Sequence, residues 1–244
     1  MMIAHVKNFL LDGAIKNSVF DFIVKIIRSV PVFILLCLAI SIAELFLKRV
    51  FLDISGKTFD KYNMAHLLFF DTYTFLCLLA LPLLLNKWFF KVTLKDLGLR
   101  FPISIKAAMF YSGFLLWATL PIFYYLFMND AQMKMAYTIS KSSGIVYLIF
   151  LQFFILPIYY FCEEFFFRGF YFMYLWKKIG WHSYWITEIT FMFAHLGKPM
   201  IEIWVSFPVG ILLNILTLRT KSIYPAVVVH TTIGVSVNAL GYLT

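Results

Sequence analysis

The sequence predicts an all-α fold: a polytopic membrane helix bundle of about seven to eight transmembrane helices with an N-terminal amphipathic helix. Three observations predict it. Of the 244 residues, 62% are hydrophobic and only 14% are charged, about half the charged share of a soluble domain. The apolar residues run in stretches long enough to cross a bilayer core, about 20 residues each, and mean hydropathy is +0.87. Phe, Trp and Tyr make up 20% of the chain, which suits lipid contact and interfacial belts. An ordinary soluble globule, a disordered or fibrous chain and a disulfide-stapled chain are excluded.

Residues 1–28 read as an interfacial segment. Phe20, Ile23, Val24 and Ile27 follow the i, i+3, i+4, i+7 pattern, while Asp21, Lys25 and Arg28 take other faces. Residues 29–244 form a single transmembrane domain. Its first span runs from Ser29 to Leu47 and is closed by Lys48 and Arg49. The second, Met64 to Leu85, carries one acid, Asp71. A basic linker over 87–106 follows, and the third span is Ala107 to Met128. After a polar loop from Asn129 to Ser143, the fourth segment starts at Gly144 and continues to Trp176, where Lys177, Lys178 and Gly180 stop it. As one helix it measures ~48 Å, so it is either long and tilted or bent at Gly169. The fifth span, Trp181 to Leu196, ends at Gly197 and Pro199. The sixth is Met200 to Leu218, and the seventh is Ile223 to Leu243 with Pro225 in its first turn.

The net charge of +9 is read as a topology device and not as a nucleic-acid surface. One set of alternate connections carries 14 of the 21 Lys and Arg residues and the other carries 7. That bias favours a cytoplasmic N-terminus. The short chain, without a eukaryotic targeting tail, fits the plasma membrane of a prokaryote. Cys37, Cys77 and Cys162 are odd in number and lack CxxC spacing, which indicates neither a disulfide framework nor a zinc knuckle.

Ionisable groups inside a bilayer are costly, so each is a functional candidate. Glu44 lies one turn from Lys48, which reads as an i, i+4 pair. Asp71 is alone in its span. Glu202 sits in the first turn of the sixth span, where an acid complements the helix dipole. His182 reads as an interfacial residue beside Trp181. The densest constellation is Glu163-Glu164-Phe165-Phe166-Phe167-Arg168. Glu164 and Arg168 are helix-face neighbours able to pair in low dielectric. Glu163 points about 100° away, as a carboxyl held from water and suited to general-base work. His195 and His230 supply two further groups, able to hydrogen-bond an oxyanion or bind a metal. Glu188, two turns before His195, is a supporting candidate. Two His with Glu163 allow zinc at Glu163, His195 and His230 as an alternative, but no tight ligand motif such as HExxH is present. The main reading has no metal and no cofactor.

At these residues the chain resembles the CPBP intramembrane proteases, which include type II CAAX prenyl endopeptidases and the Abi proteins. The EExxxR motif matches Glu163, Glu164 and Arg168; FxxxH matches Phe191 and His195; the third motif matches at His230. The fourth residue after His230 is Gly234, where the family pattern has Asn or Asp, and Asn238 lies a further turn along. Thr231, Thr232 and Asn214 are other possible donors. The resemblance covers about residues 97–244, including the Gly98-Leu99-Arg100 segment. It implies an intramembrane endopeptidase acting on a membrane-embedded or lipidated protein or peptide. Glu163 would activate water with His195, and His230 would hold the oxyanion, supported by Glu164 and Arg168. Two other readings stand beside it: a non-catalytic relative serving as membrane scaffold or immunity protein, and a small proton-coupled transporter.

Overall fold

The computed structural model describes residues 21, 23–55, 64–139 and 144–244. The interfacial helix expected over 1–28 lies largely outside the described residues. What is described is all-helical. Helix α1 is Val30–Ser55, α2 is Leu68–Phe90 and α3 is Ile105–Asn129. The short α4, Ala131–Tyr137, follows. Then come α5, Gly144–Ile179, α6, His182–Ala194, α7, Met200–Thr220, and α8, Tyr224–Leu243. Five of these (α2, α3, α5, α7 and α8) are long and apolar enough to cross a membrane, and Val30–Phe46 is a shorter apolar helix. The chain is a multi-pass membrane protein.

The fifth expected span differs most from the sequence reading. Helix α6 has 13 residues, which is ~20 Å of rise and less than a bilayer core. It ends in mid-bundle, with His195 at its C-terminus. The fourth segment continues as helix through Gly169 for 36 residues, with wide π-helical turns at Leu151–Ile155 and Phe165–Phe172.

Lipid offers little hydrophobic gain for helix association, so close packing and buried polar contacts must hold the bundle. The sequence supplies both around α5. All eight residues of Phe165–Phe172 are buried, and their rings pack with Phe33, Phe90, Tyr174 and Phe191. A second apolar cluster joins α3, α7 and α8 through Leu115, Phe127, Leu213, Val229 and Ile233. Helices α3 and α5 both pack on α8, and α6 packs on α7. Cys37, Cys77 and Cys162 form no disulfide among the described residues.

Local signals set the connections. Ser104 caps α3 by accepting from the Ala107 N–H, and Asp130 caps α4 by accepting from the Met133 N–H. The Leu97-Gly98-Leu99 segment docks on the α7–α8 turn: Ile223 N donates to Gly98 O at 3.0 Å and Ile103 N donates to Thr220 O at 3.2 Å. Gly98 has φ +79°, a conformation glycine adopts without strain.

Candidate functional site

Tyr160, Glu163, Glu164 and Arg168 recur on α5 at three- and four-residue intervals, so neighbouring stripes of one helix carry them. Glu164 and Arg168 are fully buried. Arg168 Nε lies 3.3 Å from Glu164 Oε2, and its Nη2 lies 3.6 Å from Glu188 Oε2 on α6. Its guanidinium carbon sits 4.0 Å from the centroid of the Phe191 ring, a cation–π contact. The other Glu188 oxygen accepts from Asn214 Nδ2 on α7 at 2.6 Å. Gly210 on α7 leaves room for this cluster, because a Cβ there would overlap the Glu188 carboxylate. One ion cluster therefore ties α5, α6 and α7 together. The supporting weight given to Glu188 in the sequence becomes a direct one: it is the second partner of Arg168.

His230 joins the cluster from α8. Its Nδ1 is 2.7 Å from Glu164 Oε1 and 3.7 Å from Glu163 Oε2. Glu164 thus lies between Arg168 and His230. A carboxylate only accepts, so Nδ1 carries the proton of this bond and Nε2 of the neutral ring is left with a lone pair. His195 follows the same logic. Its Nδ1 lies 2.9 Å from the Phe191 carbonyl, which also only accepts, so the free nitrogen is Nε2. The backbone of α6 thereby sets the tautomer. Phe191 packs edge-on to His195, with centroids 4.5 Å apart, and holds both the imidazole and Arg168 in place.

His195 and His230 face one cavity, together with Tyr160, Phe191 and Gly234. It holds about 530 Å³ of empty space, its open mouth included. Glu163 is 3% exposed and stands behind His230, next to the wall and not in it; its Oε2 accepts no hydrogen bond among the described residues. The structure therefore brings together Glu163, Glu164, Arg168, Glu188, Phe191, His195 and His230. Asn238 is not brought in, because its amide donates to the Gly234 carbonyl of its own helix. The other donors considered are also spent elsewhere: Asn214 on Glu188 and Thr187, and Thr232 on the Val228 carbonyl. Thr231 does not line the cavity.

Sequence reasoning missed the polar rim of this cavity. Lys198 Nζ is 3.0 Å from Glu202 Oε1, and Tyr137 donates to Glu202 Oε2 at 2.6 Å. Burial works against the Lys198 charge, but Glu202 and Tyr137 outweigh it and hold the ammonium pKa well above its usual value. Glu202 does lie in the first turn of α7, yet its carboxylate serves these two side chains as well as the helix dipole. Glu44 accepts from Thr74 Oγ1 at 3.0 Å, and the side chain of Lys48, its expected i, i+4 partner, lies outside what is described. The signal available for Lys198 was its i, i+4 spacing to Glu202. For Tyr160 it was its position one turn before Glu163 and Glu164.

Among the described residues, no group of three His, Cys, Asp or Glu side chains is arranged to hold a metal ion. Both histidines keep Nε2 free, a nitrogen able to bind a metal, so the zinc alternative at Glu163, His195 and His230 turns on Glu163, which does not line the cavity.

A multi-pass helical membrane protein with a buried carboxylate–histidine cluster beside an internal cavity is the class these features define. The family model described as "Type II CAAX prenyl endopeptidase Rce1-like" matches residues 142–236. That stretch runs from just before α5 to beyond Gly234 and contains Glu163, Glu164, Arg168, Phe191, His195 and His230, so over it the chain is similar to that family. Comparison with curated proteins and with solved structures finds no match.

Proposed function

We propose that the chain is an intramembrane endopeptidase that hydrolyses a peptide bond of a membrane-anchored or lipidated substrate. One observation carries the reading: His195 and His230 line one cavity, with Glu163 Oε2 3.7 Å from His230 Nδ1, in a stretch similar to a CAAX endopeptidase family. In the proposed reaction a water enters beside His195, whose Nε2 lone pair orients it. Glu163 turns past His230 to take the water proton, a tightening expected on substrate binding. The hydroxide oxygen bonds to the scissile carbonyl carbon, and the carbonyl oxygen becomes an oxyanion on the His230 side. The C–N bond then breaks, and the proton held by Glu163 passes to the leaving amine. Glu164, bound to Arg168 and to His230, fixes the face of α5 that presents Glu163. The protein is proposed to lie in a prokaryotic plasma membrane with its N-terminus in the cytoplasm.

Glu163→Gln keeps size and hydrogen-bonding capacity but removes the base. It is expected to lower cleavage of a farnesylated CAAX peptide by ~10²–10⁴-fold while accumulating in the membrane like wild type; full activity would sink the proposal. A second reading, a non-catalytic scaffold or immunity relative, is favoured by Gly234 alone. It expects Glu163→Gln and His195→Ala to leave the cellular function intact.

A further inference from the structure

A hydrolytic site needs a proton donor where the oxyanion forms, and a neutral His230 lacks one. Its Nδ1–H is committed to Glu164, and Nε2 of the neutral ring has only a lone pair. Other cavity-lining donors already have acceptors. Tyr137 donates to Glu202, Ser206 donates to the Ile203 carbonyl, and Lys198 is held at the rim by Glu202. His195 has spent its Nδ1–H on Phe191.

Tyr160 is different. Its ring lies against His230, with centroids 4.3 Å apart, and its side chain lines the same cavity wall. It is 8% exposed, and among the described residues its hydroxyl makes no hydrogen bond. The phenol end reaches this position because residue 234 has no side chain. A Cβ there would overlap Tyr160 Oη and Cζ, and would come within 2.6 Å of Cε2. Gly234 and Tyr160 thus form a complementary pair: the glycine vacates a space beside His230, and the tyrosine hydroxyl fills it.

We infer that Tyr160 is a catalytic residue, its hydroxyl donating the hydrogen bond that stabilises the oxyanion beside His230. The inference rests on the hydrolytic reading above. A phenol is neutral and keeps its proton at neutral pH, so it donates without ionisation. It stands one turn before Glu163 on the same helix, so base and oxyanion donor share one rigid support.

The test uses the full chain in detergent micelles. The probe is a farnesylated CAAX peptide with fluorophore and quencher on either side of the bond after the prenylated cysteine. Tyr160→Phe removes one oxygen and keeps the ring. The expected result is a kcat lower by ~10²–10³-fold, with KM and thermal midpoint unchanged, a split that a purely structural ring would not give. Gly234→Ala displaces the phenol and should lower kcat with Tyr160 still present. Adding Tyr160→Phe to Gly234→Ala should then lower it no further. Undiminished kcat in Tyr160→Phe, with Glu163→Gln inactive, overturns this inference and leaves the hydrolytic reading standing. Independent, additive losses in the two variants overturn it equally. A wild type no faster than Glu163→Gln on the probe overturns both.

Discussion

Arg168 has no solvent contact and faces two carboxylates from different helices. Removing it leaves Glu164 and Glu188 buried without their cation, the situation in which breaking a buried pair is most costly. Arg168→Ala is therefore expected to lower stability by ~3–5 kcal/mol, read as a large drop in thermal midpoint in detergent. Arg168→Lys should recover little of this, because an ammonium is a point charge and cannot reach both carboxylates as the Nε and Nη2 edges do. Gly210→Ala presses a methyl group on Glu188 and should cost ~1–3 kcal/mol by the same measurement. Of this cluster, the Glu164–Arg168 pair was legible in the sequence, because i, i+4 spacing fixes neighbours within one helix. Glu188, Gly210 and the fit of Tyr160 to Gly234 were not. Their partners lie on other helices, and helix periodicity carries no information on which faces meet.

At the scale of elements, the junction of α5 with the 91–104 connection positions the site from below. A Cβ on Gly169 would come within 2.7 Å of the Leu97 carbonyl, a backbone atom held in place by the Gly98–Ile223 hydrogen bond. Gly169→Ala should therefore separate the connection from α5 and destabilise the protein by ~1–3 kcal/mol, with urea-induced unfolding in mild detergent as the check. Nearby, Asp96 pairs with Lys177 at 3.2 Å. The Lys177 hydrogen bond, with a second from Thr93, holds the Asp96 carboxyl below its usual pKa. A lowered carboxyl pKa stabilises the fold above the unfolded value, near pH 4, and the effect fades as pH falls through the folded one. Both partners are about half exposed, so Asp96→Asn should change stability by less than ~1 kcal/mol and leave it flat from pH 5 to 8. The long helices were legible as apolar runs between charged or Gly/Pro stops. The true length of α6 was not, because an apolar run records burial in protein and exposure to lipid alike. His195 falls in mid-bundle, where it meets His230, only because α6 stops short.

For the whole molecule, the fold sorts the connections into two ends with unequal charge. The Asp96–Lys177 pair, the Gly98–Ile223 and Ile103–Thr220 hydrogen bonds, and the Arg28 Nε to Phe89 carbonyl bond gather one end. Lys91, Lys95, Arg100, Lys177, Lys178, Arg219 and Lys221 lie in or beside these segments. At the opposite end, Gln132 accepts from Met200 N and Ile139 N donates to the Gly241 carbonyl. Lys134 and Lys198 are the basic residues in those described connections. The positive-inside rule then predicts that the first end faces the cytoplasm. The cavity rim of Tyr137, Lys198 and Glu202 belongs to the second end, so the proposed site should be entered from the non-cytoplasmic side or laterally from the outer leaflet. Single cysteines on a background with Cys37, Cys77 and Cys162 replaced by alanine decide the matter. A membrane-impermeant maleimide applied to intact cells should label Lys134→Cys and spare Arg100→Cys and Lys177→Cys, and inverted vesicles should reverse the pattern. Labelling of Arg100→Cys from outside, with Lys134→Cys protected, would invert the molecule and place the cavity mouth on the cytoplasmic side.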